Sequence, residues 1–222
     1  MFSSLDALDG GEGERAWSEA GRPLLPSLVL DGTAVPILHR TQIASLLGLP
    51  SREEGAAGSL AWDCAALLRA WIAQLDGLPL ELLVAPTRSR GRSIRNLTVN
   101  TFHPFELLPI ACASGTFAWD PDLDDEREAP LVDAAAVTAY AAERHDGWVA
   151  FLGDHGDTLD PRREVGSPRG ALELGALLSA QRWHVAFHYR QLIDFLHESK
   201  VVGPNPFPLD SLDGLELPAE LY

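Results

Sequence analysis

The chain has 222 residues, of which 46 % are hydrophobic and 22 % charged, enough for one large domain or a domain with an appendage. Its formal net charge of −15 and pI near 4.7 exclude nucleic acid and anionic membrane surfaces as expected partners, because both require a basic footprint. No apolar run approaches the ~18 residues that cross a bilayer, and Cys64 and Cys112 are too few for a disulfide framework, so they read as buried thiols of a cytoplasmic protein.

Residues 1–22 are rich in Gly, Ser and acid, lack the cationic and apolar regions of a signal peptide, and read as loosely docked. Leu28–Leu30 then forms a short strand, Asp31-Gly32 a hairpin turn, and Val35–Leu38 its partner. Thr41 is the expected N-cap of a short helix over Gln42–Leu47, closed by Gly48 and Pro50. This order of Pro, strand, Asp-Gly, strand and short helix resembles the last part of a glutaredoxin or glutathione-transferase domain over residues 24–50. The family's opening strand, helix and redox cysteine are missing, so the resemblance implies a remnant without redox chemistry.

Ser51–Gly58 is a polar linker. Leu60–Leu75 reads as a helix with Leu60, Cys64, Leu67, Leu68, Trp71 and Leu75 along one side, ended by Gly77 and Pro79. The segment PTRSRGR is a basic turn in an acidic chain. A second helix starts at Ser93, and Pro104 and Pro109 should bend or interrupt it. It carries Asn96, Asn100, His103 and Glu106 at steps of four, three and three, a polar line among apolar residues; Cys112 falls on roughly the opposite side from His103. FAWDPDLDDEREAP reads as an acidic loop. A third helix is expected over Leu131–Leu152, packed through Val137, Tyr140, Ala141, Val149 and Phe151.

After a loop through His155, the stretch Arg169–His197 has no proline and places Leu174, Leu177, Leu178, Val185, Leu192, Phe195 and Leu196 at helical spacing. His184 and His188, one turn apart, share that face, with Gln181 before them and Gln191 after. An i, i+4 pair can offer two imidazoles to one ion, and polar groups on a core-facing stripe need partners. Hydrogen-bonded core histidines satisfy the same pattern. The tail after Lys200 is acidic and rich in proline, an extended strap with Phe207, Leu209, Leu212 and Leu217 as anchors.

Four long helical patterns predict a mainly α fold: an N-terminal extension over residues 1–57, a four-helix bundle over 58–200 and an extended tail over 201–222. Bundles build metal sites from inward-facing residues, and His103, His184 and His188 are the expected ligands of a divalent ion, Zn, Ni or Fe, with coordination positions left open. Glu106, Asn100 and Gln191 are the nearby acid/base or supporting groups.

The segment His184-Val-Ala-Phe-His188-Tyr-Arg-Gln191-Leu resembles the end of the last helix in the DinB-like metalloprotein superfamily, and Phe102-His103-Pro-Phe-Glu106 resembles that family's second-helix histidine motif. Arg190 departs from the family's usual glycine. Over residues 60–198 the resemblance implies a DinB-like bundle, a divalent metal on three histidines and a small-molecule substrate; the N-terminal hairpin and short helix read as a small α/β appendage to that bundle. Characterised relatives include thiol S-transferases and isomerases that use low-molecular-weight thiols, so thiol S-transfer or hydrolysis is the expected chemistry. A non-catalytic, stress-related binding protein is the alternative. A purely structural bundle, dimeric through exposed apolar surface, is a third reading and predicts His103 far from the pair.

Overall fold

A computed structural model describes residues 5–7, 10–49, 56–89, 91–120, 124–201, 203–212 and 214–219. It is mainly helical, with two small antiparallel hairpins. The helices are α1 (Glu12–Glu19), α2 (Arg40–Leu46), α3 (Ala57–Leu75), α4 (Leu80–Val84), α5 (Ile94–Ser114), α6 (Asp124–Glu128), α7 (Ala134–His155) and α8 (Leu174–Glu198). The strands are β1 (Ser27–Leu30), β2 (Thr33–Pro36), β3 (Glu164–Ser167) and β4 (Gly170–Glu173). Among the described residues, no helix is long and apolar enough to cross a membrane.

The first hairpin follows the sequence expectation. Asp31 and Gly32 both take positive φ, 50° and 78°, the two-residue turn that matches strand twist, and Leu28 pairs with Val35. Helix α2 begins earlier than expected. Its cap is His39 rather than Thr41, with Gln42 Oε1 accepting the His39 amide at 3.0 Å in a capping box. Residues 12–19, read as loosely docked, form α1, and α4 was also not foreseen. Residues 51–55 of the expected linker lie outside the described residues.

Four long helices enclose the core. α3 packs against α7 and α8, and α5 packs against the same two, so α3 and α5 sit across from each other. Aromatic side chains span the interior: Trp71 meets Phe102 edge-on at 6.2 Å between centroids, and Phe105 meets Trp148 at 5.7 Å. Their polar edges are satisfied, Trp71 Nε1 donating to Thr98 Oγ1 and Trp148 Nε1 to the Ala61 carbonyl.

These contacts bear on α5, which runs unbroken from Ile94 to Ser114 with Pro104 and Pro109 inside it. Each proline removes an amide whose acceptor would be the carbonyl four residues back. The expected interruption does not occur: Phe102 and Phe105 clamp the turn around Pro104 to α3 and α7, so tertiary packing holds what local bonding gives up. Ser93 caps the start by accepting the Asn96 amide, and Gly115, at φ 76°, ends it.

The stretch Arg169–Glu173, read as the first turns of the last helix, is instead the turn and second strand of β3–β4. This hairpin caps α8. The Leu174 and Gly175 amides donate to the carbonyls of Arg163 and Pro161, so the helix starts without a capping side chain. The acidic segment read as a loop holds α6. In α7 the buried row of Val137, Tyr140 and Ala141 continues through Gly147 to Trp148 and Leu152, while Val149 and Phe151 pack against the core partly buried.

Beyond α8 the chain doubles back along it. Gln74 Nε2 donates to the Pro204 carbonyl, the Phe207 amide to Tyr189 Oη, Trp183 Nε1 to the Glu216 carbonyl and Arg190 Nη1 to the Pro218 carbonyl. Leu212 is buried, and Phe207, Leu209 and Leu217 pack at the core's edge, as the sequence predicts. We expect Tyr189→Phe, which deletes the acceptor for the Phe207 amide, to lower stability by about 1 kcal/mol. Limited proteolysis should then cut residues 203–219 faster than in the unaltered protein.

Candidate functional site

The polar side chains of α5 and α8 meet between those helices. The contact with the imidazole pair on α5 is made by Asn100, three residues before His103. Asn100 Nδ2 donates to Asp124 Oδ2 at 2.7 Å, and its Oδ1 lies 3.0 Å from His184 Nε2. An amide oxygen only accepts, so His184 carries its proton on Nε2 and its lone pair on Nδ1. That Nδ1 is enclosed and has no hydrogen-bond partner among the described residues.

His188 is set the other way. Its Nδ1 lies 2.7 Å from Gln191 Oε1, which also accepts from Ser89 Oγ at 3.1 Å. His188 is therefore protonated on Nδ1, with its lone pair on Nε2. The two rings meet edge to face, 4.7 Å between centroids, and Trp119 packs on His184 at 5.2 Å. Back-side acceptors of this kind fix the ring orientation and tautomer of histidines that act as ligands or bases.

Electrostatics keeps His184 neutral. Burial lowers its pKa well below the ordinary imidazole value, and His188, Arg92 and Arg169 lower it further. The residue nevertheless keeps some solvent contact. Asp124 is shifted upward by its burial, opposed by the Asn100 hydrogen bond and the Arg127 and Arg92 charges.

His103 does not join this group. Among the described residues no three His, Cys, Asp or Glu side chains are placed to hold one ion, so the expected three-histidine set is not assembled. The charges acting on His103 are Arg127 of α6, Glu106 of its own helix and Arg144 of α7. Residues 100 and 103 are almost a full turn apart on α5, displaced along its axis, and Asn100 is the one in contact with α8. Glu106, proposed as an acid/base group, is half exposed and ion-paired with Arg144 at 3.0 Å, away from the imidazoles. Gln191 and Asn100, expected from sequence as acid/base or supporting groups, are hydrogen-bonded to His188 and His184. Asn96 bonds Glu128 and Asp125, a structural role at the α5–α6 contact.

Sequence reasoning missed Asp124, Ser89 and Trp119. Ser89 lies in the basic turn, and the other two in the acidic segment. Nothing in either composition singles them out; only the fold brings them to α8. Arg190, the departure from glycine, holds the tail instead of facing the imidazoles. His155 stacks on Phe151 at the end of α7. Cys64 is wholly buried, its thiol pushed far up in pKa by that burial, and it donates to the Leu178 carbonyl. It is inert. Comparisons with protein-family models, with curated proteins and with solved structures found no match.

Burial, followed by the Arg127 charge, holds His103 at a pKa of about 4 against an ordinary 6.5, with Glu106 opposing. A folded pKa below the unfolded one means that the unfolded chain binds the proton first. Stability is then full above pH 6.5 and falls as pH drops toward 4, by up to about 3 kcal/mol from this residue. Thermal melts from pH 7 to 4 should show that slope, and His103→Gln should flatten part of it.

Proposed function

We propose that the four long helices are a DinB-like bundle and that the seam of Asn100, His184 and His188 is a small-molecule site able to take a divalent ion, Zn, Ni or Fe. The observation that carries this reading is the pair of neutral, edge-on imidazoles, each with its second nitrogen tied to an amide oxygen. The closed order α3–α7–α5–α8 supports the bundle.

The donor set differs from three histidines. The two imidazole lone pairs, on His184 Nδ1 and His188 Nε2, form a weaker, more open set that suits a borderline ion and leaves positions for a ligand. Such an ion, when bound, lowers the pKa of a thiol or water, which fits thiol S-transfer or hydrolysis. The chain's own contribution is orientation: Asp124 fixes Asn100, Asn100 fixes His184, and the Ser89–Gln191 pair fixes His188. Arg127, 3.5 Å from Asp124, steadies the outer end of that relay. The alternative is a non-catalytic binding protein that uses the same seam, favoured by the exposed position of Glu106, which is ion-paired with Arg144.

Metal content after reconstitution with Zn²⁺, Ni²⁺ or Fe²⁺ tests the reading. We expect about one ion per chain, retained in His103→Ala, reduced in Asn100→Ala and lost in His184→Ala and His188→Ala variants that keep their helical circular dichroism. Loss in His103→Ala alone would overturn the assignment of Asn100. An unaltered protein that takes up none of the three ions would leave only the non-catalytic reading.

A further inference from the structure

The β3–β4 hairpin that starts α8 has one covered edge and one open edge. Gly166, inside β3, donates its amide to the Gly115 carbonyl at 2.8 Å and accepts the Phe117 amide at 2.8 Å. Its main chain therefore faces residues 115–117 and turns away from β4. Further along, the Leu174 amide donates to the Arg163 carbonyl at 2.8 Å. Antiparallel strands exchange ladder bonds at every second pair. Counted from Arg163 and Leu174, the bonded pair is Val165 with Leu172, and Gly166 with Ala171 is an unbonded one. Ala171 thus directs both its N–H and its C=O off the outer edge of β4, where neither has a hydrogen-bond partner among the described residues.

That edge gives onto a cleft of about 890 Å³, inside the ~300–1,000 Å³ range of ligand clefts. All four residues of β4 line it. Successive residues of a strand point to opposite faces, so a pocket on one face would meet only alternate ones; this cleft follows the edge itself. Its lining also includes Thr41, Ser45 and Leu46 of α2 and Val35 of β2. These elements are anchored to the hairpin: Gln42 Nε2 donates to the Arg169 carbonyl at 2.7 Å, and Arg169 Nη2 donates to the Leu25 carbonyl at 2.9 Å. The cleft is preformed. Sheets ordinarily blunt an open edge with proline, with charge or by covering it. Here the outward position is an alanine, and α2 stands across a cleft from it.

We propose that this cleft binds an extended peptide, which adds a strand to the outer edge of β4 and lays an apolar side chain against Val35 and Leu46. A residue in β conformation presents its N–H and C=O on one edge, at the spacing of the two groups that Ala171 offers, so the two residues satisfy each other reciprocally. The peptide continues a ladder that already runs from residues 115–117 through β3 to β4. Arg162, Arg169 and Glu173 also line the cleft, so its charges nearly offset and an uncharged peptide is the match. Leu46, 39 % exposed, is the apolar surface such a side chain would cover. This proposal goes beyond the imidazole seam and does not depend on it.

Isothermal titration calorimetry on the full chain with acetyl-Thr-Val-Thr-Val-Thr-amide tests it. The control is the same peptide N-methylated at every residue, which keeps the side chains and loses the main-chain donors. We expect the first to bind with a Kd of about 1 mM or tighter and the second at least about tenfold more weakly. Hydrogen exchange of the Ala171 amide should slow at least about tenfold at saturating peptide, since that amide gains an acceptor. Ala171→Pro removes the outward donor where proline breaks no ladder bond, and it should weaken binding about tenfold. Leu46→Gln, at an exposed position, should weaken it several-fold, and His184→Ala should leave it unchanged. If Ala171→Pro disturbs the hairpin, exchange at Ala171 in the unaltered protein decides the matter. Equal binding of the two peptides, unchanged exchange at Ala171, or no binding up to about 10 mM peptide overturns the proposal.

Discussion

A helix buried around most of its circumference can carry a row of polar side chains only if its neighbours complete their hydrogen bonds. α8 is such a helix, with Gln181, His188 and Gln191 buried in the same row as half-buried His184. The surrounding segments are arranged around that requirement. Asn100 reaches in from α5, backed by Asp124 of α6, and Ser89 reaches in from the turn after α4. The hairpin that starts α8 uses its backbone to satisfy the first helical amides, which frees the helix from needing a polar cap of its own. The pairing stops short at Gln181 Oε1, His184 Nδ1 and Trp119 Nε1, which have no partner among the described residues, and the rings of the last two are in contact. Elsewhere the shortfall is scattered: Tyr140 Oη and Thr101 Oγ1 are also enclosed without partners among the described residues.

Much of the fold could be read from local pattern. The Asp31-Gly32 turn, the apolar row of α3 and the Ser93 cap each depend on a few consecutive residues, and each stands where the sequence puts it. The β3–β4 hairpin was not legible, because Arg169-Gly-Ala-Leu-Glu173 is built mostly of helix-forming residues and becomes a strand only by pairing with Glu164–Ser167. The prolines of α5 misled in the opposite direction: their local effect is real, yet aromatic contacts with α3 and α7 outweigh it. In α7 the buried stripe keeps its spacing through Gly147, and Trp148 and Leu152 could have been read as its continuation.

The site was legible to the extent that it lies on one helix. His184, His188 and Gln191 share a stripe by spacing alone. Choosing between Asn100 and His103 required knowing which side of α5 faces α8, and the chemically more suggestive residue is the one that takes its electrostatic neighbours from α6 and α7. Asp124, Ser89, Trp119, Arg92 and Arg169 come from three separate segments, and no spacing rule connects them. The basic turn had stood out as a compositional oddity; its meaning depends on a contact about a hundred residues away in sequence.

The C-terminal segment is held in an unusual manner. Side chains of Gln74, Trp183, Tyr189 and Arg190 all take hold of its main chain, at the Pro204, Glu216 and Pro218 carbonyls and the Phe207 amide. Two of those carbonyls belong to prolines, residues that keep the backbone extended and offer no competing amide. The gripping information thus resides in the helices, and the strap supplies only a suitably shaped peptide. Apart from Phe207, which packs at the core's edge, its side chains at these points are accordingly open to replacement over evolutionary time, while the four helix residues that read its backbone are not.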